Sequence, residues 1–480
     1  MKNLNLFSVL FVFAIIVLST SCQKKPDACF TASKTSALVN EAISFTNCSV
    51  DAESYEWTFG DAGTSTEASP SHTYTAAGSY TVTLKALSKN GKKTNEATES
   101  MTIGYDLTKL NAIKTTTSPT VDGVVDALWA NAPVLTVALG ETNNPPNDPS
   151  KINNCAGCHA YNSSITVNVR AVYTATDVYI LSEWADPTAS FTRNGSWSFA
   201  TGAWAKPNTN ESEDRISFYW PIGTTTGDPY NTGGCMSKCH IYWPQESDPH
   251  PHANGPAIVD DAWLSSGRAD LWHSKAARGG AVTSATGTGI TVDPVSHNVT
   301  AGTFSMIGYV DDTYCDVWSG TNGEDGGRYG DAGTAAASHN RIADKSRPKW
   351  METNPTDFAD AMFITQSEID GGECVGNATT GVSDAEAALY WPKYDTLNAV
   401  ICERIHAVPT GSRGDISIGA VWSNGTWKAE IKRQLNTTNA DDINFTDLAI
   451  EYLFNVAEFD NSRHGYEHRC SKSKYLKFIP

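Results

Sequence analysis

The stretch "ISIGAVWSNGTWKAEIKRQL", Ile416 to Leu435, decides the fold class. Two strand-like runs each carry a tryptophan, Trp422 and Trp427, and "SNG" at Ser423–Gly425 lies between them. An Asn-Gly pair between two such runs reads as a β-hairpin turn, because it supplies the left-handed backbone that a tight hairpin needs. Working outward, "ITVNVRAVYTATDVYILSEWAD" (Ile165–Asp186) gives two more runs. Ile165, Val167, Val169 and Ala171 share one face of the first. In the second, Val178 and Ile180 alternate with Tyr179 and Leu181, so both faces are apolar and a buried strand is expected. "EDRISFYWPI" (Glu213–Ile222) and "EYLFNVAEFDN" (Glu451–Asn461) continue the series, separated by long stretches rich in Gly, Asn, Asp and Pro. No period of 20–50 residues repeats. The expectation from Asp106 to Pro480 is one large antiparallel β-sandwich with long loops, in an all-β chain.

Ahead of it, Asp27 to Gly104 reads as a smaller sandwich. "SYEWTFGDAG" places Tyr55, Trp57 and Phe59 on one face, and "GSYTVTLKAL" does the same for Tyr80, Val82 and Leu84. The carrying residues Trp57-Thr-Phe59-Gly60-Asp61, Ser69-Pro70-Ser71-His72-Thr73-Tyr74 and Gly78-Ser79-Tyr80 resemble a PKD domain, an Ig-like module used as a spacer or adhesion unit. His72 falls inside that motif and is read as structural.

The 480 residues exceed what one core holds, so at least two domains are expected. A net charge of −18 argues against nucleic-acid binding and for solubility or a basic partner. The N-terminus has one early Lys, an apolar run Leu6–Leu18 and the ending "LSTSC", which resembles a bacterial lipobox. Residues 1–22 are therefore expected to be a lipoprotein signal with Cys22 the lipidated residue. Gln23 after it favours the outer membrane, periplasmic or surface facing. No later segment has 18 consecutive apolar residues. Of the eleven cysteines, Cys29 and Cys48 are placed to form a disulfide, and Cys315, Cys374, Cys402 and Cys470 suffice for two more in an oxidising compartment.

The remaining cysteines carry chemistry. "NNCAGCHAYN" (Asn153–Asn162) holds Cys-x-x-Cys-His, the attachment pattern of c-type haem. Cys155 and Cys158 would form the thioethers and His159 would ligate iron. Half a zinc site and a redox dithiol are the alternatives. "GGCMSKCHIYWP" repeats the pattern one residue longer, with Cys235, Cys239 and His240. Its plainer reading is a disulfide with an exposed histidine, or a b-type haem pocket. His250 and His252, His339, His406, His464 and His468 are open candidates. Met306, Met351 and Met362 are read as packing, and His297 as surface. The acid-rich "YVDDTYCDVW" and "NGEDGGRYGDAG" could take calcium, but are read as solvated loops.

"ADLWHSKAARGG" (Ala269–Gly280) resembles the D-x-W-H-W-K-A motif of ethylbenzene dehydrogenase-like haem-binding domains, also described as cytochrome c-552/DMSO reductase-type. "EDRISFYWPI", "DGGRYGDAG" (Asp325–Gly333), Trp427–Leu435, Phe454–Asn461 and His468 fit the same pattern. The resemblance covers about Asp106 to Pro480 and implies a β-sandwich that holds haem for electron transfer. Enzyme-bound members hold haem b between a Met and a Lys. Here Lys275 is retained, while Ser274 stands where Trp is usual. The resemblance implies His240 as one ligand of a second haem with His273 or Lys275 opposite, or a Met236–Lys275 pair. No nucleophile–base triad or phosphate loop is present, so no independent catalysis is expected. The expectation is a lipoprotein cytochrome passing electrons to a redox protein, with one haem c and a second haem of c or b type. The alternatives are a haem b-bearing subunit of a molybdenum oxidoreductase, and a glycan-binding surface lipoprotein. The last rests on "VDGVVDALW" (Val121–Trp129), which also resembles family-nine carbohydrate-binding modules.

Overall fold

A computed structural model describes residues 24–140, 164–192, 195–205, 212–223, 268–294, 296–316, 328–462 and 469–480. The chain divides into two compact units, one ending at Asp106 and one beginning at Leu107.

The first unit pairs a three-stranded sheet (Phe30–Ala32, Ala42–Asn47, Ser71–Thr73) with a five-stranded one. Trp57, Phe59, Val82 and Leu84 are buried, on the faces that the alternation gives them. His72 stacks on Phe59 with ring centroids 4.0 Å apart and meets Asp61 at 2.7 Å, so its role is structural. Cys29 and Cys48 form a disulfide.

The second unit is built on one fifteen-stranded sheet that folds over a shared core. In chain order its strands are β1 (Leu110–Lys114), β2 (Leu135–Leu139), β3 (Ile165–Tyr173), β4 (Asp177–Ala185) and β5 (Glu213–Ile222). There follow β6 (Arg268–Lys275), β7 (Ser284–Val292), β8 (Val299–Tyr309), β9 (Asp311–Asp316) and β10 (Arg328–Gly330). The last five are β11 (Ser417–Ser423), β12 (Thr426–Gln434), β13 (Glu451–Ser462), β14 (Arg469–Cys470) and β15 (Lys474–Ile479). The main path runs β7-β8-β11-β12-β4-β3-β1-β15-β13-β5-β6-β9-β10, with β2 on β3 and β14 on β13.

The hairpin β11–β12 has Trp422 opposite Trp427, with Asn424 at φ 45° and Gly425 at φ 89°. These are the left-handed conformations that the "NG" pair predicts. Strand β4 is buried on both faces, as its double apolar pattern requires. Side chains from the two halves of the sheet meet in the core. Val169, Ile180, Ile418 and Ile431 come from one half, and Phe218, Trp220, Trp272 and Phe454 from the other. Trp427 Nε1 donates across the sandwich to Asp214 Oδ2 at 3.2 Å.

Two features differ from the expected antiparallel sandwich with plain loops. Strand β1 is parallel to both neighbours, β3 and β15. The region between β10 and β11 also folds into helices α1 (Phe358–Met362), α2 (Gln366–Gly371) and α3 (Asp384–Leu397). Helices α2 and α3 both start with capping boxes, Thr365 with Glu368 and Ser383 with Glu386.

"VDGVVDALW" is a clamp on β12. Trp129 is buried and its Nε1 donates to Glu430 Oε1 at 2.7 Å, while Gly123 N donates to Oε2 at 2.9 Å. A Cβ at Gly123, which sits at φ 79°, would come within 2.7 Å of the Ala420 carbonyl carbon. Burial pushes the Glu430 carboxyl up to about 7.

Candidate functional site

Strands β5 and β6 are antiparallel neighbours joined by residues 223–267. The period of two divides their side chains between two faces. Ile216, Phe218, Trp220 and Trp272 enter the main core. The alternate residues Tyr219, Ala269 and Leu271 form a separate buried cluster on the other face, and Ala457, Phe459 and Cys470 form another. The sheet therefore carries a second buried layer there, which half-solvated antiparallel strands lack.

His273 belongs to this layer. It is 2 % exposed, and its ring lies 5.2 Å from that of Phe459. The Arg215 guanidinium also sits over Phe459, at 5.1 Å. Asp311, His273, Ser217, Ala457 and Cys470 fall in one row across β9, β6, β5, β13 and β14. With strands about 4.8 Å apart, His273 stands roughly 14 Å from Cys470 along that row. Gly140 N donates to the Cys470 carbonyl at 3.2 Å, and Leu139 pairs with Ile165. Gly140 and Ile165, on either side of residues 141–163, thus stand at the Cys470 end of the row.

At the other end the row becomes ionic. Lys275, two residues beyond His273 on β6, ion-pairs with Asp311 Oδ2, and Arg413 donates to Asp311 Oδ1 at 2.8 and 2.9 Å. Burial alone would raise the Asp311 carboxyl. Lys275 and Arg413 outweigh it and hold the group far below the ordinary carboxylate range. Nearby, buried Glu213 accepts from Arg278 at 2.6 Å and from Ala277 N at 2.8 Å.

Of the residues singled out from sequence, His273 and Lys275 lie side by side on β6. Cys22, Cys155, Cys158, His159, Cys235, Met236, Cys239, His240, His250, His252, His464 and His468 lie outside the described residues. Met306, Met351 and Met362 are buried in the main core, where their packing reading put them. His406 is buried with Nε2 3.0 Å from the Ala277 carbonyl, and burial lowers its pKa, so it stays neutral. His339 pairs with Glu403 at 3.1 Å. His297 lies 3.0 Å from Ser196 Oγ. Cys402 keeps its thiol, which donates to the Phe191 carbonyl, and Cys374 is likewise a free thiol. The expectation of two further disulfides among Cys315, Cys374, Cys402 and Cys470 therefore fails, because two of the four are free thiols.

The acid-rich stretches are a correction. Asp312 and Asp331 are fully or almost fully buried, not solvated. They converge with Asp270, Asp415 and Asp442, which the sequence reading did not single out. Asp270 lies inside the "ADLWHSK" motif, and only the alternation on β6 sends it to the face opposite His273.

The ethylbenzene dehydrogenase family matches residues 126–471, and the PKD domain family matches residues 23–103. Collagenase ColA of Bacillus cereus is 44 % identical over 69 residues, which are 13 % of this chain and 7 % of that protein. The chain thus spans a small fraction of that curated relative. Among solved structures, the PKD1 domain of Vibrio anguillarum Epp is 32 % identical over 17 % of this chain and 98 % of its own, with a TM-score of 0.16. The PKD1 domain of the Vibrio cholerae metalloprotease PrtV is also 32 % identical, over 17 % and 99 %, with a TM-score of 0.15. With a match over most of its length and the motif-bearing strand β6 inside it, the chain belongs to the ethylbenzene dehydrogenase family and carries a PKD domain ahead of that unit.

Proposed function

We propose that this protein is an exported c-type cytochrome that relays single electrons. One haem is held through Cys155, Cys158 and His159. A second would be held through Cys235, Cys239, His240 and His273. The observation that carries the reading is the placement of His273 in a buried apolar layer outside the main core. Described residues next to the two cysteine-bearing stretches belong to the strands of that layer: Gly140 donates to the Cys470 carbonyl, and Ile222 and Arg268 face each other at the ends of β5 and β6.

The residues present suit a haem. A flat macrocycle needs apolar walls and a neutral nitrogen donor. Leu271, Tyr219, Ala269 and Phe459 are such walls, and His273 brings an imidazole among them. Lys275 is the poorer donor, because it would have to lose its proton and abandon Asp311. When bound, haem supplies a reversible one-electron couple. The chain's own residues exclude water from that layer and fix the His273 ring against Phe459. They also set a charged boundary at Lys275, Asp311 and Arg413.

Around this core, a lipid on Cys22 would anchor the protein to the outer membrane, with the PKD unit as a spacer. The net charge of −18 favours a redox partner with a basic docking face and disfavours nucleic acid. A second reading, favoured by the family itself, is a subunit of a molybdenum oxidoreductase with non-covalent haem b. Haem staining on a denaturing gel separates the two. Full-length protein matured with cytochrome assembly factors should retain stain. Cys155→Ser with Cys158→Ser should remove part of it, and adding Cys235→Ser with Cys239→Ser should remove the rest. Stain lost from the wild type on denaturation, with a Soret band present beforehand, would favour the haem b reading. No Soret band at all would end both.

A further inference from the structure

The face of β6 opposite His273 leads to a group of aspartates drawn from five separate segments. Asp270 comes from β6, Asp312 from β9, Asp331 from just past β10, and Asp415 from just ahead of β11. Asp441 and Asp442 come from the turn between β12 and β13. Carboxylate oxygens of Asp270, Asp312 and Asp442 lie within 4.8 Å of one another, and so do those of Asp331, Asp441 and Asp442. Asp270 and Asp312 are wholly buried, and Asp331 and Asp442 nearly so. Among the described residues, the cation facing them is Arg433 from β12. It is itself fully buried, with Nη2 3.0 Å from Asp442 and 3.5 Å from Asp270. One guanidinium cannot balance so many carboxylates out of water.

The hydrogen bonding is lopsided in a way that points to an absent ligand. Asp270 Oδ2 accepts from Trp272 Nε1 and Ile443 N, each at 2.9 Å. Asp442 Oδ2 accepts from Thr437 Oγ1 and from Asn439 Nδ2 at 3.1 Å. In both residues the other oxygen, Oδ1, has no donor. Neither oxygen of Asp312, Asp331 or Asp415 meets an N–H or hydroxyl donor either. The groups within hydrogen-bonding reach of Asp331 and Asp415 are Asp442 and Asp312, themselves carboxyls. Buried polar atoms are almost always satisfied. Here eight carboxylate oxygens of Asp270, Asp312, Asp331, Asp415 and Asp442 are not, against one each at Asp186 and Glu352 elsewhere among the described residues. Without a cation, burial drives Asp331 up to about 9 and Asp415 to about 7.

We propose that these aspartates are a calcium site, with Asp270, Asp312 and Asp442 as the central ligands and Asp331 and Asp415 completing the shell. The donors are all hard oxygens, with no histidine or thiol among them, which selects calcium, magnesium or manganese over zinc, copper or iron. Calcium takes six to eight oxygens in flexible geometry, matching a crowded anionic shell, whereas magnesium retains several waters. The ion ties β6 and β9, in one half of the folded sheet, to the turn that follows β12 in the other half. Its role is structural and does not depend on the haem reading.

The test uses the full-length chain stripped with EGTA and then titrated with calcium, magnesium or terbium. Calcium should raise the thermal midpoint, with magnesium weaker at equal concentration. Terbium should emit on tryptophan excitation, because the Trp272 indole touches the site through Asp270. Asp312→Asn is nearly isosteric, so it keeps the fold while deleting a charge. It should lower calcium affinity at least ~10-fold, because affinity follows ligand charge. In EGTA the same variant should melt close to the wild type, since burial already raises the Asp312 carboxyl towards its neutral form; in calcium the wild type should melt higher. A wild type with the same midpoint in EGTA and calcium would overturn the proposal. So would an Asp312→Asn variant that keeps full calcium response and terbium emission.

Discussion

On strand β6, Asp270 and Trp272 project to one side and Leu271 and His273 to the other, and the two sides have different chemistry. The inner side joins the main core and, through Asp270, a cluster of carboxylates facing one arginine. The outer side joins a thin apolar layer with an imidazole in it and an ion-paired lysine at its end. Neither side is solvated, although an antiparallel strand at this place in a sandwich commonly wets one face. A second buried face on such a strand needs something to cover it. In the proposed function haem packs beside that covered layer, and this expectation can be broken residue by residue.

The largest effect belongs to the inner face. Trp272→Ala removes a fully buried indole from the core and should cost about 3–5 kcal/mol in urea unfolding, with or without haem. At the end of the outer face, Asp311→Ala removes the carboxylate that Lys275 and Arg413 share and should cost about 3 kcal/mol. The Asp311 carboxyl has its pKa depressed in the fold. Its contribution is therefore present above the ordinary carboxylate range near 3.8 and fades as pH falls below it. Leu271→Ala sharpens the contrast between the faces. Leu271 is 2 % exposed within the protein alone, so the substitution should cost about 2–3 kcal/mol in apoprotein, and more in holoprotein if haem packs on the outer layer. Equal costs in both forms would mean that haem makes no contact with Leu271.

The smallest effect lies away from β6, at Glu430. Its carboxyl is raised by burial from 4.5 to about 7. The folded chain therefore holds this proton more tightly than the unfolded chain. Its contribution is complete below pH 4.5 and is lost as pH rises through about 7. Glu430→Gln should flatten that part of the stability–pH profile while leaving the haem spectrum unchanged.

These contrasts also show what a sequence can disclose. The Trp422–Trp427 hairpin was legible because the turn is local and asparagine and glycine do in it what their backbones allow. The PKD unit was legible because its motif residues are the ones that pack, Trp57 on Phe59 and Phe59 on His72. The parallel placement of β1 was not, since its partners Ala171 and Phe478 are distant in the chain and no local pattern encodes that pairing. Helices α2 and α3 did leave a local trace, the Thr365–Glu368 and Ser383–Glu386 capping boxes, which the β-rich surroundings obscured. The aspartate cluster was illegible for a further reason. Asp312 and Asp331 sit in stretches that look hydrophilic, and their burial follows only once β6, β9 and the turn at Asp442 meet. The ion pair of Lys275 with Asp311 is of the same kind, a cross-strand match fixed by register.

The most direct test of the electron-carrier account is the reduced-minus-oxidised absorption spectrum of full-length protein matured with cytochrome assembly factors, compared with that of His273→Ala. The account predicts sharp haem bands in the wild type, with one component shifted or lost in the variant while the thermal midpoint of the PKD unit is unchanged. Identical spectra in the two proteins would contradict the assignment of His273, and a colourless wild type would contradict the account as a whole.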